Sequence, residues 1–344
     1  MRILFVIAAF VFVIPEEGPV SSRYPDETID SVMRRGIDLT LRQDYGHARE
    51  AFRMINELFP HHPAGVLLDA GVLQTMAMDY EEVVNGGEFD SLIQASKNRA
   101  ERMIGDQPDS PWGYYFLGTA LGNEALAKAQ SGDWLGAAIK AMASASRFEE
   151  ALDRDSLLID AYAGLGTYYY WKTRRIEFLT WLPFVADRRA EGIELLEHCA
   201  RDGLYNRFAA ISSLISVYLD REDYQRAKEH AEAALALYPE NRLFLWGLAT
   251  SLEKMGKTAE AITAYDRLLE AIRNDSRPNP YNEIVCLMNR YRLRRDSGEE
   301  GSPDDLVRIR YLLQGSFPRH LADRVKEKRE RLAALEGNQR GRTD

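Results

Sequence analysis

The sequence predicts an all-α protein, an α-α superhelix of stacked antiparallel helix hairpins, and three observations predict it. Equivalent alanines recur 34 residues apart in Asp223-Tyr224-Gln225-Arg226-Ala227 and Lys257-Thr258-Ala259-Glu260-Ala261, a period that belongs to paired helices. Apolar residues around each alanine keep helical spacing: Ile211, Leu214 and Tyr218 before Ala227 with Ala231 and Ala234 after it, and Leu245, Leu248 and Leu252 before Ala261 with Tyr265 and Leu268 after it. Turn residues stand where hairpins need them, Gly256 inside one unit and Pro239 at the end of the other.

Composition permits such a body and narrows its chemistry. The 344 residues are 45% hydrophobic and 28% charged, the balance of a chain that packs a core, and a repeat array reaches this length as one continuous body. A formal net charge of −9 repels polyanions, so no nucleic acid is expected as a partner. The two cysteines, Cys199 and Cys286, are too few for a disulfide scaffold, fit no zinc spacing, and are expected in the core.

The amino terminus reads as an export signal. Arg2 precedes an apolar run from Ile3 to Ile14, closed by Pro15, Gly18 and Pro19. The run falls short of the roughly 20 apolar residues that span a bilayer. Residues 1–22 are therefore expected to be a signal peptide, cleaved near Val20 or Ser22, with an uncleaved anchor as the alternative. The protein is expected in the periplasm or cell envelope.

Small and large residues alternate as close-packed helix pairs require. Gly36, Ala48, Phe52 and Pro60 form one set, with Gln43-Asp44-Tyr45 between its helices; Tyr114, Leu117 and Gly118 open another, and Tyr162, Leu165, Gly166, Tyr169 and Tyr170 a third. With these motifs the chain resembles the tetratricopeptide repeat family over residues 29 to 275. Units at 29–62, 208–241 and 242–275 keep the family's length without interruption. Residues 23–279 are expected to form the repeat array, with insertions near 79–91 and 176–185, and residues 280–344 a helical capping region of amphipathic stretches near 280–295, 304–314 and 320–336.

The resemblance implies a concave groove lined by the first helix of each pair and a role in holding a protein or peptide. Matched position by position, it nominates Trp112, Tyr115 and Thr119, then Thr167, Tyr170 and Trp171, then Ser212, Ser216 and Asp220, and finally Trp246, Thr250, Glu253 and Lys254. This lining is aromatic and hydroxyl-rich, which suits an extended peptide better than a phosphate or a metal ion. It is poor in the lysine, arginine and asparagine with which the family's groove holds carboxylate-ended tails, so that mode of recognition is not expected there.

The insertion Ile176-Glu177-Phe178-Leu179-Thr180-Trp181-Leu182-Pro183-Phe184-Val185 is unusually apolar for a connection. Buried, it adds to the core. Exposed, Phe178, Trp181 and Phe184 would serve as a lid or docking patch, and membrane contact is expected only through this segment or residues 1–14. The alternative function is the binding of a small, extended apolar ligand beneath it.

No catalytic constellation is found. Gly256-Lys257-Thr258 lacks the earlier glycine of a phosphate-binding loop, because Ser251 stands there. Gly164-Leu165-Gly166 follows no strand and has Tyr169 in place of the third glycine. His61-His62, His47 and His198 lack the spacing of a helical metal site, and Cys199 and His198 point apart on their helix. The chain is thus expected to be a non-enzymatic scaffold with neither metal nor cofactor.

Overall fold

The computed structural model describes residues 21–84, 86–175, 177, 186–298 and 302–340. Among them lie fifteen α-helices and no strand. They pair as hairpins: α1 (Glu27–Leu41) with α2 (Tyr45–Leu58), α3 (Pro63–Asp79) with α4 (Gly86–Asp106), α5 (Pro111–Gln130) with α6 (Trp134–Arg154), and α7 (Ala161–Arg175) with α8 (Arg189–Asp202). Then follow α9 (Arg207–Asp220) with α10 (Tyr224–Leu235), α11 (Arg242–Lys254) with α12 (Thr258–Asn274), α13 (Pro280–Asp296) with α14 (Pro303–Leu313), and last α15 (Ala322–Arg340). Each helix packs on its neighbours in sequence, and the first helices of successive hairpins touch from α1 through α11. The fold is an all-α superhelix.

Local sequence explains the hairpin turns. Among the described residues six of these turns hold a residue in the left-handed region: Gln43, Glu81, Gly132, Glu222, Gly256 and Gly298, with φ from 53° to 85°. Three of these carry a side chain and so accept a local cost of about 1–2 kcal/mol. In three turns the next residue is an aspartate that caps the second helix, Asp44 accepting from the N–H of His47, Asp133 from Gly136 and Asp223 from Arg226. Gly256-Lys257-Thr258 is the turn that joins α11 to α12.

Close approach between helices is set by small residues. A Cβ on Gly166 of α7 would stand 2.6 Å from the carbonyl oxygen of Gly192 on α8, and one on Gly192 would stand 2.7 Å from that of Gly166. The two backbones are thus in direct contact, which only glycine permits. Elsewhere, Ala227, Ala231, Ala234 and Ala261 are fully buried at the seams between α9, α10, α11 and α12. Cys199 and Cys286 are buried as well.

The array is not open along its whole edge. Residues 21–43 run across the turns that join one hairpin to the next, and they bond to partners far away in sequence. Ser21 Oγ donates to Asp160 (2.8 Å), the Tyr24 N–H to Tyr205 Oη (2.9 Å), Tyr205 Oη to Asp30, and Tyr238 Oη to Asp38 (3.0 Å). Asn241 Nδ2 donates to the Leu41 carbonyl at 2.7 Å. Asp79, at the end of α3, is buried against Arg242, with Nε to Oδ1 at 2.9 Å, and its carbonyl accepts from Asn279 and Asn282. The first two hairpins are therefore fastened to the fifth through the seventh.

This fastening explains why α3 and α5 are buried on nearly every side. An apolar helix with no polar face needs cover all round. The stretch between α3 and α4 is shorter than the insertion expected near 79–91, since α4 already begins at Gly86. Helices α13 and α14 continue the hairpin stacking, and α15 follows as a further helix. Phe178, Trp181 and Phe184 lie outside the described residues.

Candidate interaction surface

The nominated groove residues divide into three groups. Trp112, Tyr115 and Tyr170 are buried, 4%, 3% and 1% exposed, so they do not line a groove. The amino-terminal segment covers Trp112, and the turn before α9 covers both Trp112 and Tyr115. Tyr24 sets its ring edge against Trp112 with centroids 5.1 Å apart, Tyr205 approaches from the other side at 6.0 Å, and Tyr115 Oη accepts from Asn206 Nδ2 at 3.0 Å. Tyr170 is enclosed between α7 and α9, where its hydroxyl donates to Asp220 Oδ2 at 2.6 Å.

A second group is spent on holding neighbouring hairpins together. Asp220 takes the Tyr170 hydroxyl and Arg174 Nε (2.8 Å) on one oxygen, which keeps its pKa below the usual carboxylate range although burial opposes this. Glu253 accepts from Tyr265 Oη (2.8 Å) and pairs with Arg292 of α13. Thr167 Oγ1 lies 3.0 Å from Ser213 Oγ across the α7–α9 seam. Sequence reading pointed to Ser212 and missed its neighbour Ser213.

The third group remains accessible. Ser216 and Lys254 are exposed, and Thr119, Trp171, Ser212, Trp246 and Thr250 are half-buried. Ser212 and Ser216, like Trp246 and Thr250, lie four residues apart and share a helix face. Trp246 sets its ring at a steep angle to Tyr265 with centroids 6.1 Å apart and is partly exposed. Among the described residues no group of three His, Cys, Asp or Glu side chains is placed to hold a metal ion, and no helix is long and apolar enough to cross a membrane.

A family model described as tetratricopeptide repeat matches residues 213–276, from within α9 to just beyond α12. This stretch is tetratricopeptide repeat. Ser216, Asp220, Trp246, Thr250, Glu253 and Lys254 all sit on first helices of these tetratricopeptide hairpins. Similar solved structures include the C-terminal part of a TPR repeat-containing protein from Cytophaga hutchinsonii, 15% identical with a TM-score of 0.40, covering 85% of this chain and 98% of that one. A tetratricopeptide repeat protein from Parabacteroides merdae is 12% identical with a TM-score of 0.38, covering 88% and 99%. Human IFIT1 dimer with m7Gppp-AAAA is 16% identical with a TM-score of 0.44, covering 85% and 68%. No curated protein matches the chain.

Residues that sequence reading passed over hold the amino-terminal segment. Asp160 is wholly buried and accepts from Ser21 Oγ and from the N–H groups of Leu204, Tyr205 and Asn206. Burial raises its pKa, and these donors oppose the rise. His62 caps α3 by accepting the Ala64 N–H on Nδ1 (3.1 Å), so its proton sits on Nε2, 2.7 Å from Tyr24 Oη. Burial pushes the His62 pKa down to about 4, with Arg99 adding to the effect and Asp26 opposing it.

The sign of the resulting pH dependence follows. The unfolded imidazole takes a proton near 6.5 and the folded one only near 4, so stability is full above 6.5 and falls as pH drops toward 4. Between pH 7 and pH 5 this single group is expected to remove about 2 kcal/mol of unfolding free energy. Urea titrations of the wild type and His62→Gln at both pH values test it: the variant should lose that much less on acidification, and equal losses would show that His62 is not the responsible group.

Proposed function

We propose that the chain is a non-enzymatic protein-binding scaffold of the cell envelope, exported by its amino-terminal segment, that holds an extended peptide or protein segment along its first helices. The observation that supports this reading is the stripe of partly exposed hydroxyl and aromatic side chains, Ser212, Ser216, Trp246 and Thr250, presented side by side by α9 and α11 on a rigid stack. Hydroxyls and an indole offer hydrogen bonds and apolar area together, the combination found where polypeptides are held. The net charge of −9 disfavours nucleic acid as a partner of the chain as a whole.

The experiment is capture from envelope extract by the wild type and by Ser216→Arg/Thr250→Arg, with bound proteins identified by mass spectrometry. Both substitutions fall on accessible positions, so the melting temperature should be unchanged. Recovery of a specific partner should fall about tenfold, the effect of losing roughly 1.4 kcal/mol of binding. Equal recovery by both proteins would move the binding surface away from α9 and α11.

A further inference from the structure

Outside the stripe, a cleft of about 530 Å3 opens between the turn after α2 and the carboxy-terminal half of α4. Phe59, Pro60 and Met103 give it apolar walls, while Arg99, Arg102 and Asp106 bring charge to it. The arginines are unusual for this chain. Other half-buried or buried guanidinium groups meet a carboxylate: Arg49 meets Asp69, Arg242 meets Asp79 and Arg290 meets Asp305.

Arg99 does not. It is half-buried, and its partners are the side-chain oxygen of Asn56 and the His62 carbonyl, both neutral and both taken by the same nitrogen. Arg102 is exposed and gives its Nε to the Asn98 carbonyl. Asp106 lines the cleft without pairing to either arginine. Burial lowers the Arg99 pKa and the Arg102 charge lowers it further, so two like charges are held together, neither of them ion-paired to a carboxylate among the described residues. Such an arrangement is stabilised by an anion that offers two oxygens to a planar guanidinium.

We propose that this cleft binds an organic carboxylate whose apolar body rests on Phe59, Pro60 and Met103. Two arginines against one aspartate leave a single positive charge, which matches a monoanion and disfavours a phosphate dianion. The shared chemistry is a carboxylate on a compact apolar group, whether a free small acid or the end of a polypeptide. The inference is independent of the stripe on α9 and α11, which lies on other hairpins.

The test is isothermal titration of the full chain with sodium benzoate and with acetyl-Gly-Phe carrying a free carboxylate, using benzyl alcohol and acetyl-Gly-Phe amide as uncharged controls. Saturable binding of at least one carboxylate, in the range of roughly millimolar or tighter, is expected, with about tenfold weaker binding of its control. Arg102→Gln should weaken the carboxylate about tenfold, and Arg99→Gln should do so at least as strongly. Because Arg99 also braces Asn56 and His62, a poorly folded Arg99→Gln leaves the decision to the exposed Arg102→Gln. Preference for the peptide or for benzoate would identify the source as polypeptide or small acid. No saturable binding of either carboxylate, or equal binding of the controls, or an unchanged affinity in Arg102→Gln, would overturn the assignment.

Discussion

Asp79→Ala is expected to cost about 3–5 kcal/mol of unfolding free energy, the penalty of leaving a buried charge without its partner. Asp79 is 2% exposed and Arg242 is 6% exposed, and the pair joins α3 to α11 across 163 residues of chain. Asp275 stands 2.8 Å from Arg242 and softens the loss, which places the effect toward the lower end of that range. Burial works against the guanidinium charge, yet Asp79 and Asp275 hold the Arg242 pKa above its ordinary value.

Urea unfolding of Asp79→Ala, Arg242→Leu and the double variant tests this. The double variant should be close in stability to Asp79→Ala, because its second change removes a buried cation left with only Asp275 as partner. Hydrogen exchange adds a readout of place: in Asp79→Ala protection should fall first where α3 meets α11, around residues 79 and 242. A loss below 1 kcal/mol would mean that the first hairpins are held chiefly by apolar contact.

Gly192→Val carries the second large effect. The added Cβ would sit 2.7 Å from the Gly166 carbonyl oxygen and 2.9 Å from the Tyr170 nitrogen. Both neighbours are backbone, so no side chain can turn aside and α7 must part from α8. Overpacking of this kind costs about 1–3 kcal/mol, and the backbone contact puts this case at the upper end.

The control is Gly71→Ala in α3, where an added Cβ meets nothing within 4 Å and the gain in helix preference is about 0.5–1 kcal/mol. Denaturation of both variants should give opposite signs. A neutral Gly192→Val would show that the two helices adjust without loss.

Much of this architecture was legible in the chain, for reasons that are local. Repeat spacing, buried alanines and the capping Asp44, Asp133 and Asp223 act within a few residues, and helices α9 to α12 lie where the spacing puts them. Gly166 was readable as a point of close approach, though its opposing partner Gly192 was not, because a single glycine announces contact without saying with what. Nominating Trp112, Tyr115 and Tyr170 for the groove failed for a long-range reason. A position in a hairpin tells which way a side chain faces, but not that Tyr24 and Tyr205 arrive at Trp112, Asn206 at Tyr115 and Asp220 at Tyr170.

One signal was present and went unused. Asp69 and Asp79 are the charged residues of the mostly apolar stretch from Pro63 to Asp79, and carboxylates in such a helix need buried partners. Arg49 and Arg242 are those partners. The cleft beside Arg99 offered no such signal, since its significance lies in a missing carboxylate, which only the folded arrangement reveals.

Fastening the amino-terminal segment to hairpins some two hundred residues away changes what kind of device the array is. A free solenoid stretches like a spring, widening to suit whatever it holds. Here the coil is buckled to itself through Asp30, Asp38 and Asp79, so a change of curvature has to break those bonds. Under the proposed function, admitting a bulkier guest means opening that buckle as a unit, rather than every hairpin yielding a little.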